Sequence, residues 1–261
     1  MADSKYTNLV EMRNISKSFG KVIALKNINF KVSSNEVVGL IGDNGAGKST
    51  LIKILMGVYP PNTGEVFIRD KSIRLSHYSA QIAHKLRIEA VYQEKALGEK
   101  QPLWRNIFLG RQITNKLGFI DVKKEREETE RIMKNLIGFR SKGINSESRV
   151  RELSGGERQG VAIGRAMYFD ADLIILDEPT TALSVKEVGK VINFIKQIKD
   201  VGKSCIMISH NMSEEYSVAD RFIILDRGEI VGEYKKEDVT LSELTSKLIR
   251  IATGNAEKVG A

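Results

Sequence analysis

The residues best suited to chemistry lie together in Gly42-Asp43-Asn44-Gly45-Ala46-Gly47-Lys48-Ser49-Thr50. They follow an apolar run, Val37 to Ile41, and precede a segment bearing Leu51, Ile52, Leu55 and Met56. The pattern predicts a strand, a tight glycine-rich loop and a helix, which is the context a phosphate loop requires. Glycines let backbone amides turn inward on an anion, and the helix N-terminus adds partial positive charge. Lys48 can then reach the β- and γ-phosphates of a nucleotide, and the Ser49 hydroxyl can ligate Mg²⁺. The plainer alternative is an ordinary glycine-rich turn from strand to helix.

A second apolar run, Leu173-Ile174-Ile175-Leu176, ends in Asp177-Glu178-Pro179. Parallel sheets present the C-terminal ends of their strands to ligand, so two adjacent carboxylates there can divide the work. Asp177 holds Mg²⁺ directly or through water, and Glu178 acts on the attacking water as general base. By itself Asp-Glu-Pro is also a common turn. Combined with the phosphate loop, it points to a nucleotide triphosphatase. Other reactive side chains read as structural. Cys205, the single cysteine, sits in Ser204-Cys205-Ile206-Met207-Ile208 and reads as a small buried hydrophobe. His77 and His84 lack metal-ligand companions and read as surface residues.

These groups need a sheet to position them. β-rich runs at Leu9 to Arg13, Ile28 to Val32, Glu36 to Ile41, Val66 to Ile68, Glu89 to Tyr92, Leu173 to Leu176, Cys205 to Ser209 and Phe222 to Leu225 alternate with helical stretches. That alternation predicts an α/β fold with a largely parallel sheet. The clearest helix carries Val185, Val188, Val191, Ile192, Ile195 and Ile198 and stops at Gly202, with Ser184 and Glu187 forming a capping-box pattern at its start. From about Lys95 to Glu152 the alternation breaks, and the segment reads as a helical insertion. It holds the only tryptophan, Trp104, and a charged helix from Asp121 to Leu136 with Glu127/Arg131 and Glu130/Lys134 pairs. Phe222 to Leu225, Asp226 to Glu229 and Ile230-Val231 predict a hairpin turned by Asp and Gly.

The chain's 261 residues are enough for one large domain, and with 41% hydrophobic and 28% charged residues neither disorder nor a fibre fits. No apolar window approaches the eighteen or more residues of a membrane span, and Met1 to Lys5 shows no secretory signal, so cytosolic residence is expected. The net charge of +8 suits nucleic acid, phosphorylated ligands or an anionic membrane surface. Basic residues are scattered among acids, however, and aromatics are only 7%, so no nucleic-acid partner is expected. No internal repeat is visible, which excludes a solenoid or a duplication within the chain.

Leu153-Ser154-Gly155-Gly156-Glu157, about twenty residues before the acidic strand, matches the signature of the ATP-binding-cassette ATPases, and the chain resembles that family from about Leu9 to Val231. The resemblance implies an α/β fold: a P-loop NTPase core of the ABC type with an antiparallel β-subdomain and a helical subdomain insertion. It implies one ATPase domain over residues 5–250, with a catalytic core at 9–93 and 153–235. The helical subdomain would occupy about 95–152, and a C-terminal helix and tail about 240–261. Further site residues follow from the same likeness. Gln93 resembles the glutamine loop, with a catalytic and Mg²⁺-ligating role, and His210 resembles the switch histidine. Ala182-Leu183-Ser184 occupies the D-loop. Phe19, in Lys17-Ser18-Phe19-Gly20, matches the aromatic that stacks on adenine, the alternative being a core Phe at a strand end.

In this family two cassettes pack head to tail, so ATP on one phosphate loop is closed over by Ser154, Gly155 and Gly156 of the other. The glycines permit close approach and Ser154 donates to γ-phosphate oxygens. A homodimer or a paralogous cassette pair is implied. Two departures stand out. Ser184 replaces the usual D-loop Asp, and Gly160 and Gly164 follow the signature where Arg and Ala are usual, each glycine costing a helix about 1 kcal/mol.

Asp43-Asn44-Gly45-Ala46, Val91-Tyr92-Gln93-Glu94, Asn106 to Arg111 and Thr180 to Ser184 resemble the ATP-binding subunits of bacterial monosaccharide importers of the ribose and fructose type. The single cassette resembles the fructose-type branch. The implied partners are a membrane permease and, through it, a periplasmic or extracellular sugar-binding protein, with the cassette peripheral on the inner face of the membrane. Gln93 through Trp104 would contribute to the permease-docking cleft, ordinary core packing being the alternative for Trp104. Rival readings are a soluble cassette ATPase of nucleic-acid repair or assembly, a transporter subunit for a non-sugar cargo, and a non-hydrolysing regulatory module. Tandem cassettes, a long coiled coil or zinc-binding cysteines would mark the soluble types, and none is visible.

Overall fold

Six strands form the central sheet in the order β10 (Glu229–Lys235), β9 (Arg221–Asp226), β3 (Val37–Ile41), β8 (Ser204–Ile208), β7 (Leu173–Asp177) and β6 (Ile88–Val91). The computed structural model in which they are seen describes residues 8–92, 97–134 and 143–253. β10 pairs antiparallel with β9, and every other pairing is parallel. Alternate side chains enter two cores. Val38, Leu40, Leu173, Ile175, Ile206 and Ile208 join one, while Val37, Ile41, Ile174, Leu176, Cys205 and Met207 join the other. Both faces are covered, which is why these strands read as unbroken apolar runs.

The first core lies between this sheet and an antiparallel one, ordered β2 (Val22–Val32), β1 (Val10–Phe19), β4 (Thr63–Ile68) and β5 (Lys71–Ser72). Helix α1 (Lys48–Leu55) fills it with Leu51, Ile52, Ile54 and Leu55. The α/β fold with a separate antiparallel sheet is therefore as expected, but β1 and β2 run well past the segments read as Leu9 to Arg13 and Ile28 to Val32. Register shifts after Met12, Ile15 and Lys17 break the alternation, and Asn14 and Asn27 turn to φ values of 53° and 50°. An irregular strand loses its two-residue period, so the pattern ends early in the sequence.

On the other face pack α5 (Gly155–Tyr168), α6 (Val185–Asp200) and α7 (Met212–Val218), joined by α3 (Leu103–Phe108) and α4 (Val122–Ile132). α3 and α4 lie between β6 and α5, as a helical insertion would; the expected end of α4 at Leu136 falls outside the described residues. Its ion pairs differ from the expected register: Arg131 meets Glu128 and Glu127 meets Lys123, while Glu130 accepts the Ser146 amide at 2.6 Å. Trp104 is only 7% exposed, so it packs in the interior. Gly160 and Gly164 are buried too, consistent with close packing of α5. α6 stops at Gly202 with φ 77°, and the hairpin turn puts positive φ on Arg227 and Gly228. α2 (Ala80–Lys85) and α8 (Leu241–Ala252) complete the helices longer than one turn among the described residues.

Cys205 is fully buried, and burial pushes its thiol up, as a structural cysteine requires. His84, expected at the surface, is partly buried, with Nδ1 3.0 Å from Glu89 Oε2. The N-terminal edge of the sheet is tied by Arg221, which donates to Glu36 at 2.7 Å and Glu233 at 2.8 Å, and by Asp220, which accepts the Val37 amide at 2.9 Å. Among the described residues no helix is long and apolar enough to cross a membrane.

α7 carries an ionisable group into the core. Glu215 is fully buried, with no hydrogen bond of good geometry to either carboxylate oxygen among the described residues. Burial pushes its carboxyl well above the ordinary value of 4.5, against the pull of the Ser209 amide and the Lys48 charge and with some help from Glu214. The folded chain thus holds this proton more tightly than the unfolded chain, so stability declines as pH rises above 4.5. Glu215→Gln removes that penalty. Thermal unfolding followed from pH 4.5 to pH 8 should show the variant melting at least about 3 °C higher at pH 8, with the advantage vanishing at the acid end.

Candidate nucleotide site

β3, β8 and β7 are neighbours, so the loops leaving their C-terminal ends share one edge of the sheet. The loop after β3 is held from behind. A Cβ on Gly42 would stand 2.2 Å from the Leu225 carbonyl at the end of β9, and one on Gly47, where φ is 108°, would stand 2.7 Å from the Ala24 carbonyl. Glycine is therefore required at both positions by contact with neighbouring backbone. The β9–β10 turn straps the loop down: the Gly228 amide donates to the Ala46 carbonyl at 2.9 Å, and the Gly228 carbonyl accepts from the Lys26 amide at 2.8 Å.

With its back fixed, the loop offers donors at the front. α1 begins after Gly47, which has no side chain to cap it, and its first turn contains no acidic residue. The amides at this helix start are left for an external anion. Lys48 is 7% exposed, and its ammonium folds over the loop to donate to the carbonyls of Gly42 and Asp43, the latter at 3.0 Å. Burial lowers its pKa, opposed by Glu178, Glu215, Asp177 and Asp43. Asp43, Asn44, Gly45 and Ser49 are exposed, while Ala46 is buried and Thr50 half-buried.

The two carboxylates after β7 behave differently. Burial raises the Asp177 pKa, and Glu178 adds to it, while Lys48, Lys53 and His210 pull against it. This carboxylate gains from any cation placed beside it. Glu178 takes a positive φ of 51°, unusual for a residue with a side chain, and its amide donates to the Ile208 carbonyl of β8 at 2.8 Å. One carboxylate oxygen accepts the Thr181 hydroxyl at 3.1 Å, and the other lies 2.6 Å from His210 Nε2. His210 is half-exposed whereas the Glu178 side chain is 18% exposed, so the pair spans the surface and interior of one edge.

A Mg²⁺ ion fits this donor set. Among the described residues no group of three or more His, Cys, Asp or Glu side chains could hold a metal, so the ion would rely on Ser49, Asp177 and the phosphates of a nucleotide. Magnesium commonly binds in that way, with few protein ligands. Gln93, expected as a further ligand, lies outside the described residues.

The structure brings Gly42 to Thr50, Asp177, Glu178 and His210 to one sheet edge. Phe19 stands at the end of β1, 44% exposed, with its ring edge-on to Tyr59 at 5.4 Å and the Lys17 ammonium 5.2 Å from its centroid. It is not a core residue. Ser154, Gly155 and Gly156 make no hydrogen bond or ion pair with the phosphate loop among the described residues. They open α5 and face the D-loop instead. Ser154 and Glu157 form a capping box, with Ser154 Oγ accepting the Glu157 amide at 3.3 Å and the Glu157 carboxylate accepting the Ser154 amide at 2.9 Å. A Cβ on Gly155 would meet Leu183 Cδ2 at 2.5 Å, and one on Gly156 would meet Glu187 at 2.9 Å.

Glu187 is a site residue that the sequence signalled only as a helix cap. The expected capping box forms, with Oε2 accepting the Ser184 amide at 3.0 Å and the Ser184 hydroxyl at 2.8 Å. Oε1 reaches across to the Gly156 amide at 3.0 Å. These donors, the Gly156 amide foremost, then those of Ser184 and the Ser154 hydroxyl, hold the Glu187 carboxyl down at about 2. Thr181 at Glu178 was likewise missed, because a hydroxyl after Asp-Glu-Pro-Thr carries no periodic signal.

The sequence pattern of the ABC transporter family matches residues 25–181. The xylose/arabinose import ATP-binding protein XylG of Sulfolobus acidocaldarius is 43% identical over 248 residues, covering 95% of this chain and 96% of that protein. The ribose import ATP-binding protein RbsA of Caldanaerobacter subterraneus subsp. tengcongensis is 34% identical over 92% of this chain, which spans 47% of that longer protein. Among solved structures, a dimeric post-hydrolysis state of the ATP-binding cassette MJ0796 bound to ADP and Pi superposes with a TM-score of 0.72 and 26% identity, covering 87% of this chain and 98% of that one. A nucleotide-free cassette from an ABC transporter shares the fold at a TM-score of 0.79 and 24% identity, covering 94% and 99% of the two chains. The family pattern spans the phosphate loop, the signature and the acidic strand, and similarity to one relative runs almost end to end: the chain belongs to the ABC transporter family, as an ATP-binding-cassette ATPase.

Proposed function

We propose that this chain is the ATP-hydrolysing subunit of an importer that takes up a monosaccharide through a separate membrane permease. The observation that carries this reading is the nearly full-length similarity to a single-cassette xylose/arabinose import protein. Pentoses are the first candidates for the cargo. Similarity to ribose and galactose import proteins supports the wider sugar class, although this chain spans only about half of their length. The permease, a sugar-binding protein outside the membrane, and a second cassette of the same or a paralogous chain are its proposed partners, with the cassette on the inner face of the membrane.

The roles follow from the site. Phe19 offers a face for adenine. The amides of Gly42 to Thr50 and the Lys48 ammonium receive the phosphates, with Lys48 exchanging its two carbonyl acceptors for phosphate oxygens. Ser49, Asp177 and Gln93 would hold Mg²⁺, which when bound neutralises phosphate charge. Glu178 takes the proton of the attacking water, and His210, already beside it, is placed to contact the same phosphate. Ser154, Gly155 and Gly156 of a second cassette complete the site. ATP binding then closes the pair and hydrolysis reopens it, and the permease follows the motion.

A tagged Glu178→Gln variant, held with ATP and Mg²⁺ in gently solubilised cells, should co-purify with a polytopic membrane protein; recovery of nucleic acid or soluble assembly factors instead would overturn the importer reading. In purified form the same variant should bind ATP normally and accumulate as a dimer, with turnover reduced about a hundredfold or more. Lys48→Ala should weaken ATP binding by at least about tenfold in a direct titration, since a buried charged donor to phosphate is lost.

A further inference from the structure

One donor of the signature is already engaged from within the chain. The Gly156 amide donates to the Glu187 carboxylate at 3.0 Å, through Oε1. Its other oxygen collects the amide and hydroxyl of Ser184. One carboxylate therefore sits between the N-termini of α5 and α6, at the place where an anion is best stabilised by both. The Gly156 amide it occupies belongs to the signature surface that, in the proposed function, completes the site around the nucleotide held by the second cassette. An amide has one proton to give, so Gly156 cannot serve the carboxylate and a phosphate oxygen fully at once.

We propose that Glu187 is a positioning residue of the signature, holding the Gly156 amide in the single cassette and yielding it to the γ-phosphate of the nucleotide on its partner. This rests on the reading of Ser154, Gly155 and Gly156 as the surface that completes the site around that phosphate. Two physical effects follow. Before association that donor is pre-aimed and paired, so the start of α5 is not left with this amide unsatisfied. During association the carboxylate must move or share its donors, and as a negative charge beside an arriving phosphate it opposes closure. Because Ser184 hangs on the same carboxylate, release at Gly156 changes the load on the D-loop in the same step.

The test is ATP-driven dimerisation, measured by sedimentation in a Glu178→Gln background with Mg²⁺ present. Glu187→Gln keeps an acceptor for the Gly156 amide while removing the charge. It should shift the half-point of dimerisation to about tenfold lower protein concentration, the worth of one charge-assisted hydrogen bond, while ATP affinity of the lone cassette stays unchanged. Glu187→Asp, which withdraws the carboxylate by one methylene, should shift it in the same direction and serves if the Gln variant does not fold. A merely structural cap would give the opposite result, weaker dimerisation with both variants, and that result, or no shift in either, overturns the proposal. Ser154→Ala in the same background keeps the two levels apart. If it weakens dimerisation while neither Glu187 variant strengthens it, only the role of Glu187 falls; if it changes nothing, the signature reading falls and takes Glu187 with it.

Discussion

Strands that run parallel all end at one edge, and there the backbone has no further strand residue to pair with. This constraint organises the whole site. The phosphate loop after β3, the carboxylates after β7 and the histidine after β8 come from three distant parts of the sequence, yet adjacency in the sheet puts them within reach of one another. The Glu178 amide shows how tightly this is drawn, since it closes a hydrogen bond to the Ile208 carbonyl of the next strand at the cost of a left-handed backbone. The opposite edge carries the buried Arg221 network, whose work is to hold strands together. One edge is tied by paired charges; the other gathers carboxylates around a single buried lysine, an excess of negative charge that a bound cation would offset.

Much of this was legible in the sequence because it rests on local chemistry. A phosphate loop has to be contiguous, since its amides must converge on one anion, and so nine adjacent residues from Gly42 to Thr50 report it directly. The parallel strands were legible for a related reason, their two buried faces leaving continuous apolar runs at Leu173 to Leu176 and Cys205 to Ile208. What stayed hidden was set by contacts between segments. The long bulged strands β1 and β2 break their own alternation, and in α4 Glu130 is claimed by the Ser146 amide while Arg131 pairs with Glu128 and Glu127 with Lys123. Glu187 shows the limit most plainly: its pattern with Ser184 announced a helix start, whereas its bond to Gly156, thirty-one residues earlier, exists only because α5 and α6 begin side by side.

Glycine serves two distinct ends in this fold. At Gly42 and Gly47 it lets the loop lie against carbonyls of β9 and β2, which stiffens the cradle from behind. At Gly155 and Gly156 it lets Leu183 and Glu187 approach α5, which couples the signature to the D-loop. The chain thus has a loop braced from behind and, separately, a close contact between the start of α5 and the D-loop, on the surface where a second cassette is proposed to bind.

The strap formed by Gly228 extends the phosphate loop's vulnerability far along the chain. Its φ of 80° excludes most side chains, and a Cβ there would stand 2.7 Å from the Ala24 carbonyl, while its amide braces Ala46 inside the loop. In genetic terms, a missense change at this hairpin would present as a phosphate-loop allele although it leaves every phosphate-loop residue intact. Because the contact it disturbs is with the backbone of Ala24 and Leu25, no change of those side chains would relieve it.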